Sequence, residues 1–288
     1  MDNKFSKSWI NMRIEYDNDS RSNILNKYLR NKYMPDVELI DMCCGSGNFL
    51  IWSIKNELFF NKYTLIDNDI NLLKSIKSNL RKNISKELKI KSNTNNMDLI
   101  LSKDKFISSK VLIKKSDCDK FNYKTKIFHI ISYSAALDLM SKSSIIKAMK
   151  RVNNLNAIYF SLCFNGIVKW TPTNTFDKYI LSFFNKHQKR DKGFGAALGP
   201  QSIDFVNRYS IKQGMKVNTK NSPWIVNNKT NKDKTFMNRY LLDIKKALFH
   251  MEGIDKDILR KWYKDKKSDI EKKSIKLYVG HQDMLIYK

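Results

Sequence analysis

Four cysteines in 288 residues are too few and too scattered for a disulfide framework. Cys43 and Cys44 are adjacent, Cys118 and Cys163 stand alone, and no pair has C-x-x-C spacing. The four histidines are equally dispersed, which excludes a structural zinc site and predicts no metal centre. No apolar run approaches the ~18 residues that span a bilayer. Met1–Ile10 also lacks the apolar stretch of a secretory signal. The expectation is a protein of the reducing cytoplasm with no membrane partner. Acidic residues are scarce: 28 Asp and Glu face 54 Lys and Arg, a formal net charge of +26. Only 9 of those 54 are arginine, the residue of bidentate phosphate and base contacts. A nucleic-acid surface and the Lys-, Asn- and Ile-rich coding of an AT-rich genome explain this charge equally well, and both stay open.

What is abundant is core material. Hydrophobic residues make up 42 % and aromatics 12 %, which excludes a disordered tail or a low-complexity fibre. Met1–Asn18 reads as polar with one anchor pair, Trp9 and Ile10. Asp19 or Ser20 can cap a helix carrying Ile24, Leu25, Tyr28 and Leu29, ended by Pro35. Glu38–Cys43 reads as a buried strand, followed by a glycine turn and a helix from Phe49. Tyr63–Asp67 is a second strand, and Asp69 caps a helix over Ile70–Lys82. Lys86–Asn96 reads as loop. Lys110–Lys115, Lys126–Ser132 and Ala157–Phe164 read as further strands, with a helix over Ser143–Val152. This alternation predicts a doubly wound, mostly parallel sheet. Gly166–Gly199 breaks the rhythm. A helix from Pro200 to Gln213, a strand over Met215–Thr219 and two helices (Arg239–Met251 and Asp257–Ile270) follow. A last strand, Leu277–Tyr287, reads as interrupted at Gly280.

The chemistry concentrates in Ile40-Asp41-Met42-Cys43-Cys44-Gly45-Ser46-Gly47-Asn48-Phe49 and in Leu65-Ile66-Asp67-Asn68-Asp69. Glycines at a strand-to-helix turn let a ligand reach backbone N–H groups. An acidic residue ending the next strand, Asp67, 20 positions after Gly47, can accept both hydroxyls of a ribose. Together they describe a site for an adenosine-containing cofactor. The third glycine of a dinucleotide fingerprint is missing, and Asp41 precedes the turn instead. A carboxylate repels pyrophosphate but suits the ammonium of a methionine moiety, which points to S-adenosyl-L-methionine.

This stretch resembles motif I of the class I SAM-dependent methyltransferases, written D-x-G-x-G-x-G, with Cys43 where the first glycine is expected. A side chain there requires a negative φ. The resemblance implies a Rossmann-like α/β fold with a seven-stranded sheet, an antiparallel last strand and a helical cap insertion. It further implies that Asp67, with Asn68 beside it, holds the ribose and that Asp117 takes the adenine amino group. Ser132–Asp138, with Ser132 and Ser134, would form the edge where cofactor meets substrate. Asn185-x-His187-Gln188-x-Arg190-Asp191-Lys192-Gly193-Phe194-Gly195, Ala197-Leu198-Gly199-Pro200, Ser222-Pro223-Trp224 and Gly280-His281-x-Asp283 are similar to the islands of a bacterial methyltransferase family of unestablished substrate. That likeness runs from about Trp9 to the end.

The expected organisation is one class I domain over residues 1–288. It carries an N-terminal helical segment (1–35), a lid insertion (166–199) and a helical insertion (227–276). The charged, glycine-hinged block in the lid makes His187, Arg190 and Asp191 the catalytic candidates. Lys192, Asn165, Trp224 and His281 are the candidates for binding substrate. The expected cofactor set is Asp41, Cys43, Gly45, Gly47, Asp67, Asn68, Asp117, Ser132 and Ser134. No Asn/Asp-Pro-Pro-Tyr/Phe sequence follows the fourth strand, which argues against amine methylation of the usual DNA type. Neither Cys163 nor Cys118 has the setting of a nucleophile for pyrimidine C5 chemistry. The expected reaction is methyl transfer to an N or O atom of a small-molecule acceptor. A tRNA or rRNA methyltransferase and a non-catalytic SAM-binding scaffold are the alternatives. The oligomeric state is not legible.

Overall fold

The computed structural model describes residues 7–33, 37–84, 88–92, 97–102, 108–123, 127–191 and 193–288. The strands are β1 (Glu38–Met42), β2 (Lys62–Asp67), β3 (Lys89–Ser92), β4 (Leu99–Ser102), β5 (Ser108–Lys115), β6 (His129–Ser134), β7 (Asn156–Thr171), β8 (Lys216–Asn221), β9 (Trp224–Val226) and β10 (Lys276–Tyr287). The α-helices are α1 (Lys7–Ser20), α2 (Asn23–Tyr33), α3 (Asn48–Lys55), α4 (Ile70–Asn83), α5 (Lys142–Met149), α6 (Asp177–Gln188), α7 (Ser202–Lys212), α8 (Asn231–Leu248) and α9 (Lys256–Glu271). Pro35 and Lys126, expected to end a helix and to open a strand, lie outside the described residues. None of the described helices is long and apolar enough to cross a membrane.

The strands form one sheet in the order β3-β4-β5-β2-β1-β6-β7-β10-β8, with β9 paired to β10. From β5 to β7 the pairs are parallel, and β10 runs antiparallel to both β7 and β8. Seven strands, β5-β2-β1-β6-β7-β10-β8, make the doubly wound arrangement expected from the sequence. Among the described residues the count corrects to ten because β3, β4 and β9 are added. β3 (KIKS) buries none of its side chains fully, and β9 has three residues, so neither carries a readable apolar period. The break expected at Gly166 comes later: β7 continues to Thr171, with Val168 and Trp170 buried and Ile167 and Lys169 exposed. β10 is likewise continuous through Gly280, with register shifts on either side of His281 and Gln282.

Three apolar cores hold the layers. On one face α3 and α4 pack Phe49, Trp52, Leu73, Ile76 and Leu80 against β1 and β2. α3 is buried nearly all round, as its run NFLIWSIK dictates. On the opposite face α5 and α7 pack Ile145, Met149 and Val206 against Met42, Ile131 and Ile158. The third core lies beyond, where the far ends of β7 and β10 meet α6, α8 and α9 through Trp170, Phe236, Leu241 and Trp262. Each large side chain fully buried there contributes roughly 1.5–3 kcal/mol.

α1 was not legible as a helix. Its Trp9, Met12 and Tyr16 pack on the third core, with Tyr16 4.2 Å and Trp9 5.4 Å from the Phe236 ring. Its other face turns Ile10, Arg13 and Asp17 to a cavity. With both faces occupied, no single apolar stripe remains to be read. The α2 cap also falls later than expected: Ser22 Oγ, rather than Asp19 or Ser20, accepts the Leu25 N–H at 3.2 Å.

Candidate functional site

In the order β5-β2-β1-β6-β7, the chain goes from β1 to one side and then crosses to β6 on the other. A crevice forms at the carboxyl ends of strands where the order reverses in this way. Here it is a cavity of about 670 Å³. The end of β1 supplies Cys43, Gly45 and Ser46, and the end of β2 supplies Asp67, Asn68 and Asp69. After β5 come Asp117 and Cys118, and after β6 come Ser134, Ala135 and Ala136. Phe49 of α3, Arg13 and Asp17 of α1, Arg21 just beyond α1, and Gly193 and Phe194 of the loop after α6 complete the wall.

The turn is shaped by its sequence. Cys43, Gly45 and Gly47 all have positive φ, at 57°, 55° and 81°. The negative φ expected for Cys43 is therefore overturned. A left-handed L-residue costs about 1–2 kcal/mol, and contacts to Cys118 hold this one. The Cys43 N–H donates to Cys118 Sγ at 3.0 Å, and Cys43 Sγ lies 2.9 Å from the same sulfur. This sulfur contact, then burial, pushes the Cys43 thiol well up, so it stays protonated. Gly47 caps α3, and a Cβ there would stand 3.2 Å from Ile76 Cγ2. Gly47→Ala should lower stability by about 1–3 kcal/mol through both the left-handed φ and this overlap. Urea denaturation checks it, and an unchanged midpoint would contradict the turn geometry.

Asp67 is 8 % exposed and ties the two strand ends together. Its Oδ2 accepts from the Gly45 N–H at 2.8 Å and its Oδ1 from the Asp69 N–H at 2.9 Å. Burial raises its pKa, and those two backbone donors oppose the shift. Asp117 Oδ1 accepts from the Asp119 N–H at 2.8 Å, while the side chain stays exposed at the cavity rim. Arg13 and Arg21 were missed by sequence reasoning. Arg21 donates to Asn18 Oδ1 at 3.0 Å and to Ser134 Oγ at 2.8 Å, and stacks 5.7 Å from the Phe49 ring. Burial lowers its pKa, with Asp17 and Asp283 opposing. The available signal was charge at i, i+4 and i+8 (Arg13, Asp17, Arg21), which reads as a solvated face.

Of the residues expected at the site, the structure brings Cys43, Gly45, Asp67, Asn68, Asp117 and Ser134 to the cavity. Asp41, Gly47 and Ser132 stand behind its wall. Asp41 is fully buried, accepts from Ser132 Oγ, and leaves Oδ2 with no hydrogen-bond partner among the described residues. Burial pushes its pKa up to about 7, while the Ser132 hydrogen bond and Arg21 pull the other way.

The catalytic candidates do not border the cavity. His187 sits half-buried in α6, and Arg190 is exposed beyond its end. Asp191 Oδ1 accepts from the Gly193 and Gly195 N–H groups at 2.7 and 3.0 Å, which shapes the loop. The same loop does reach the cavity, but through Gly193 and Phe194. Lys192 lies outside the described residues.

The remaining substrate candidates are packed away from it. Asn165 bends over Gly280, where a Cβ would fall 2.2 Å from its Oδ1, so close approach explains that glycine. His281 is 5 % exposed, with its ring centroid 4.6 Å from that of Trp224. Burial, then Arg13, pushes its pKa down to about 3, so it is a neutral core histidine. Trp224 is 3 % exposed and donates from Nε1 to Asp17 Oδ1 at 3.0 Å. Cys163 is buried, with its thiol pushed well up by that burial, which removes it as a nucleophile. Among the described residues, no group of three His, Cys, Asp or Glu side chains is placed to hold a metal ion.

No protein-family model and no curated protein sequence matches the chain. Among solved structures, it is similar to the YcgJ protein of Bacillus subtilis at 10 % identity, over 92 % of this chain and 97 % of that one, with a TM-score of 0.49. It is also similar to the cyclopropane synthase MmaA2 from Mycobacterium tuberculosis at 11 % identity, over 97 % and 83 %, with a TM-score of 0.44. A third similar structure is the plantazolicin methyltransferase BpumL in complex with SAH, at 12 % identity, over 98 % and 86 %, with a TM-score of 0.43.

Proposed function

We propose that the protein is an S-adenosylmethionine-dependent methyltransferase acting on an N or O atom of a small-molecule acceptor. The observation that carries this reading is the glycine turn and the Asp67 carboxylate sharing one cavity at the reversal of strand order. The residues fit the cofactor. A Cβ added at Gly45 would meet nothing within 4 Å, so the turn opens onto free space for a ligand. The lone pairs of Asp67 not used by the Gly45 and Asp69 N–H groups remain for ribose hydroxyls, with Asn68 beside them. Asp117 stands at the rim for the adenine amino group, and the Gly45 turn takes the amino-acid part. When bound, the cofactor supplies a methyl group already activated on a sulfonium sulfur.

The chain's own part is to position and to exclude water. Ser134 ends β6 and Ala135 follows it at the cavity, held by Arg21 and by the Ala135 N–H donating to Ser161 O at 2.8 Å. Phe194 lines the cavity from a loop whose shape Asp191 sets. Among the described residues, the lining holds three basic side chains (Arg13, Arg21, Lys115) against four carboxylates (Asp17, Asp67, Asp69, Asp117). That balance suits a small acceptor better than a polyanion, so the small-molecule reading stands ahead of RNA.

Calorimetry with S-adenosylhomocysteine tests the assignment. Asp67→Ala should weaken binding by about 30-fold, or ~2 kcal/mol, through loss of charge-assisted hydrogen bonds. Equal affinity in wild type and variant would reject it. Phe194→Ala should leave cofactor affinity within about threefold and lower turnover about tenfold, because closure matters to transfer more than to binding. Single-turnover rates at saturating cofactor measure this, and an unaffected rate would remove the loop from the reaction.

A further inference from the structure

We propose that Arg13 is a preformed receptor for an anionic group, carboxylate or phosphate, on the acceptor molecule; this rests on the methyltransferase reading and deepens it. Among the described residues, the Arg13 guanidinium is fixed at Nε and has no partner at its two terminal nitrogens. Its Nε donates to both Asp17 oxygens, at 3.1 and 2.9 Å. Asp17 is locked in turn by the Trp224 Nε1 donor at 3.0 Å. The guanidinium carbon lies 4.9 Å from the Trp224 ring centroid, stacked on the indole.

These contacts leave Nη1 and Nη2 with no hydrogen-bond partner among the described residues. The Arg13 side chain, 16 % exposed, lines the cavity that holds Gly45 and Asp67. A fork held in this way binds carboxylate or phosphate with two parallel hydrogen bonds and little loss of side-chain freedom. Arg21, by contrast, already uses both terminal nitrogens on Asn18 and Ser134.

The lining also has apolar members: Ile10 comes from the same helix, Leu139 follows β6, and Phe194 comes from the loop. An acceptor that fits has an apolar body and one anionic end. Its nucleophilic N or O atom would be presented to the cofactor end of the cavity while the charge is anchored at Arg13. Trp224 and Asp17 are positioning residues here. This gives Trp224 a place behind the substrate site, without contact with the substrate.

The experiment uses the full chain saturated with S-adenosylhomocysteine, so that the cofactor's own carboxylate is already accommodated. Phenyl phosphate and benzoate are titrated as probes, with benzamide as the neutral control. Calorimetry and the ¹⁵N resonance of Arg13 Nε give the readouts. Wild type should bind at least one of the anions and not benzamide, and the Arg13 signal should move with binding. The two anions distinguish a phosphorylated from a carboxylated acceptor. Arg13→Gln should weaken anion binding at least about tenfold, and Arg13→Lys, which keeps charge but loses the fork, by less. Both should hold S-adenosylhomocysteine within about twofold. Arg13→Lys carries the test if Arg13→Gln melts early.

Unchanged anion affinity in the variants overturns the proposal. So does an equal loss of S-adenosylhomocysteine affinity, which would assign Arg13 to the cofactor. If wild type does not bind S-adenosylhomocysteine, the methyltransferase reading fails. The same titration on the unloaded protein then decides Arg13 separately.

Discussion

Asp283→Asn should destabilise the protein by about 4 kcal/mol, a fall in Tm of roughly 6–10 °C. Asp283 has no solvent exposure and sits among three donors. Its Oδ2 accepts from the Ser22 N–H at 2.9 Å and from the Tyr159 hydroxyl at 2.8 Å. Its Oδ1 accepts from the Leu162 N–H at 2.8 Å. An asparagine amide offers one oxygen and one NH₂. In either orientation the NH₂ opposes a buried N–H or O–H that has no water to turn to. The residues it anchors are not interchangeable. Ser22 opens α2 immediately after Arg21, and Leu162 has a φ of 55° in the middle of β7. The substitution should therefore also loosen the Arg21 side of the cavity. Thermal and urea unfolding of the variant measure the effect, and a loss below about 1 kcal/mol would mean that these contacts carry little.

Asp41→Asn should act in the opposite direction on stability and still impair binding. Asp41 ionises with a pKa near 3.8 in the unfolded chain and about 7 in the folded one. Between those values the native state holds the proton that the unfolded state has released, so wild-type stability falls as pH rises from about 4 to about 7. The loss approaches ~4 kcal/mol above pH 7 and is absent below pH 4, where both states are protonated. Asparagine keeps an acceptor for Ser132 and removes the titration. The variant should be the more stable protein at pH 8, with the difference vanishing near pH 4. A cation entering the cavity favours the ionised carboxylate, so S-adenosylmethionine should bind wild type more tightly as pH rises from 6 to 8. The Asn variant should show weaker and pH-independent binding, by about tenfold at pH 8. Parallel stability profiles of the two proteins from pH 4 to 8 would sink the assignment of this titration to Asp41.

The residues legible from sequence were those whose local chemistry is strong. The buried run of β1, the glycine turn, Asp67 at the end of β2 and the Asp69 cap each follow from neighbours within a few positions, and the structure places them as expected. Asp69 Oδ1 does accept the Asn71 N–H, at 2.8 Å. The parts that escaped depend on distant partners. Cys43 reaches its left-handed φ because Cys118, 75 residues away, receives its N–H. Arg13 and Asp17 look like a solvated helix face until Trp224, 207 residues from Asp17, covers them. In the 187–195 block the charged residues drew attention because they carry chemistry, yet Asp191 is consumed by the turn and Phe194 is what reaches the cavity. Asp283 belonged to a recognisable island without any local hint that three donors converge on it.

β10 is an interior strand made last among the described elements. It pairs with β7 over most of its length and has β8 and β9 on its other side. Ile158 lies opposite Ile286, and Thr171 opposite Lys276, so the contacts that close the sheet join segments more than a hundred residues apart. While the chain is being synthesised, one edge of β7 stays open, and β8 and β9 have no neighbour until residues 276–287 emerge from the ribosome. Folding of the whole sheet must then wait until residues 276–287 have been made. Such late, long-range closure is slow and leaves strand edges exposed to other chains. A stop codon placed before residue 276 would remove the strand that joins β8 and β9 to β7.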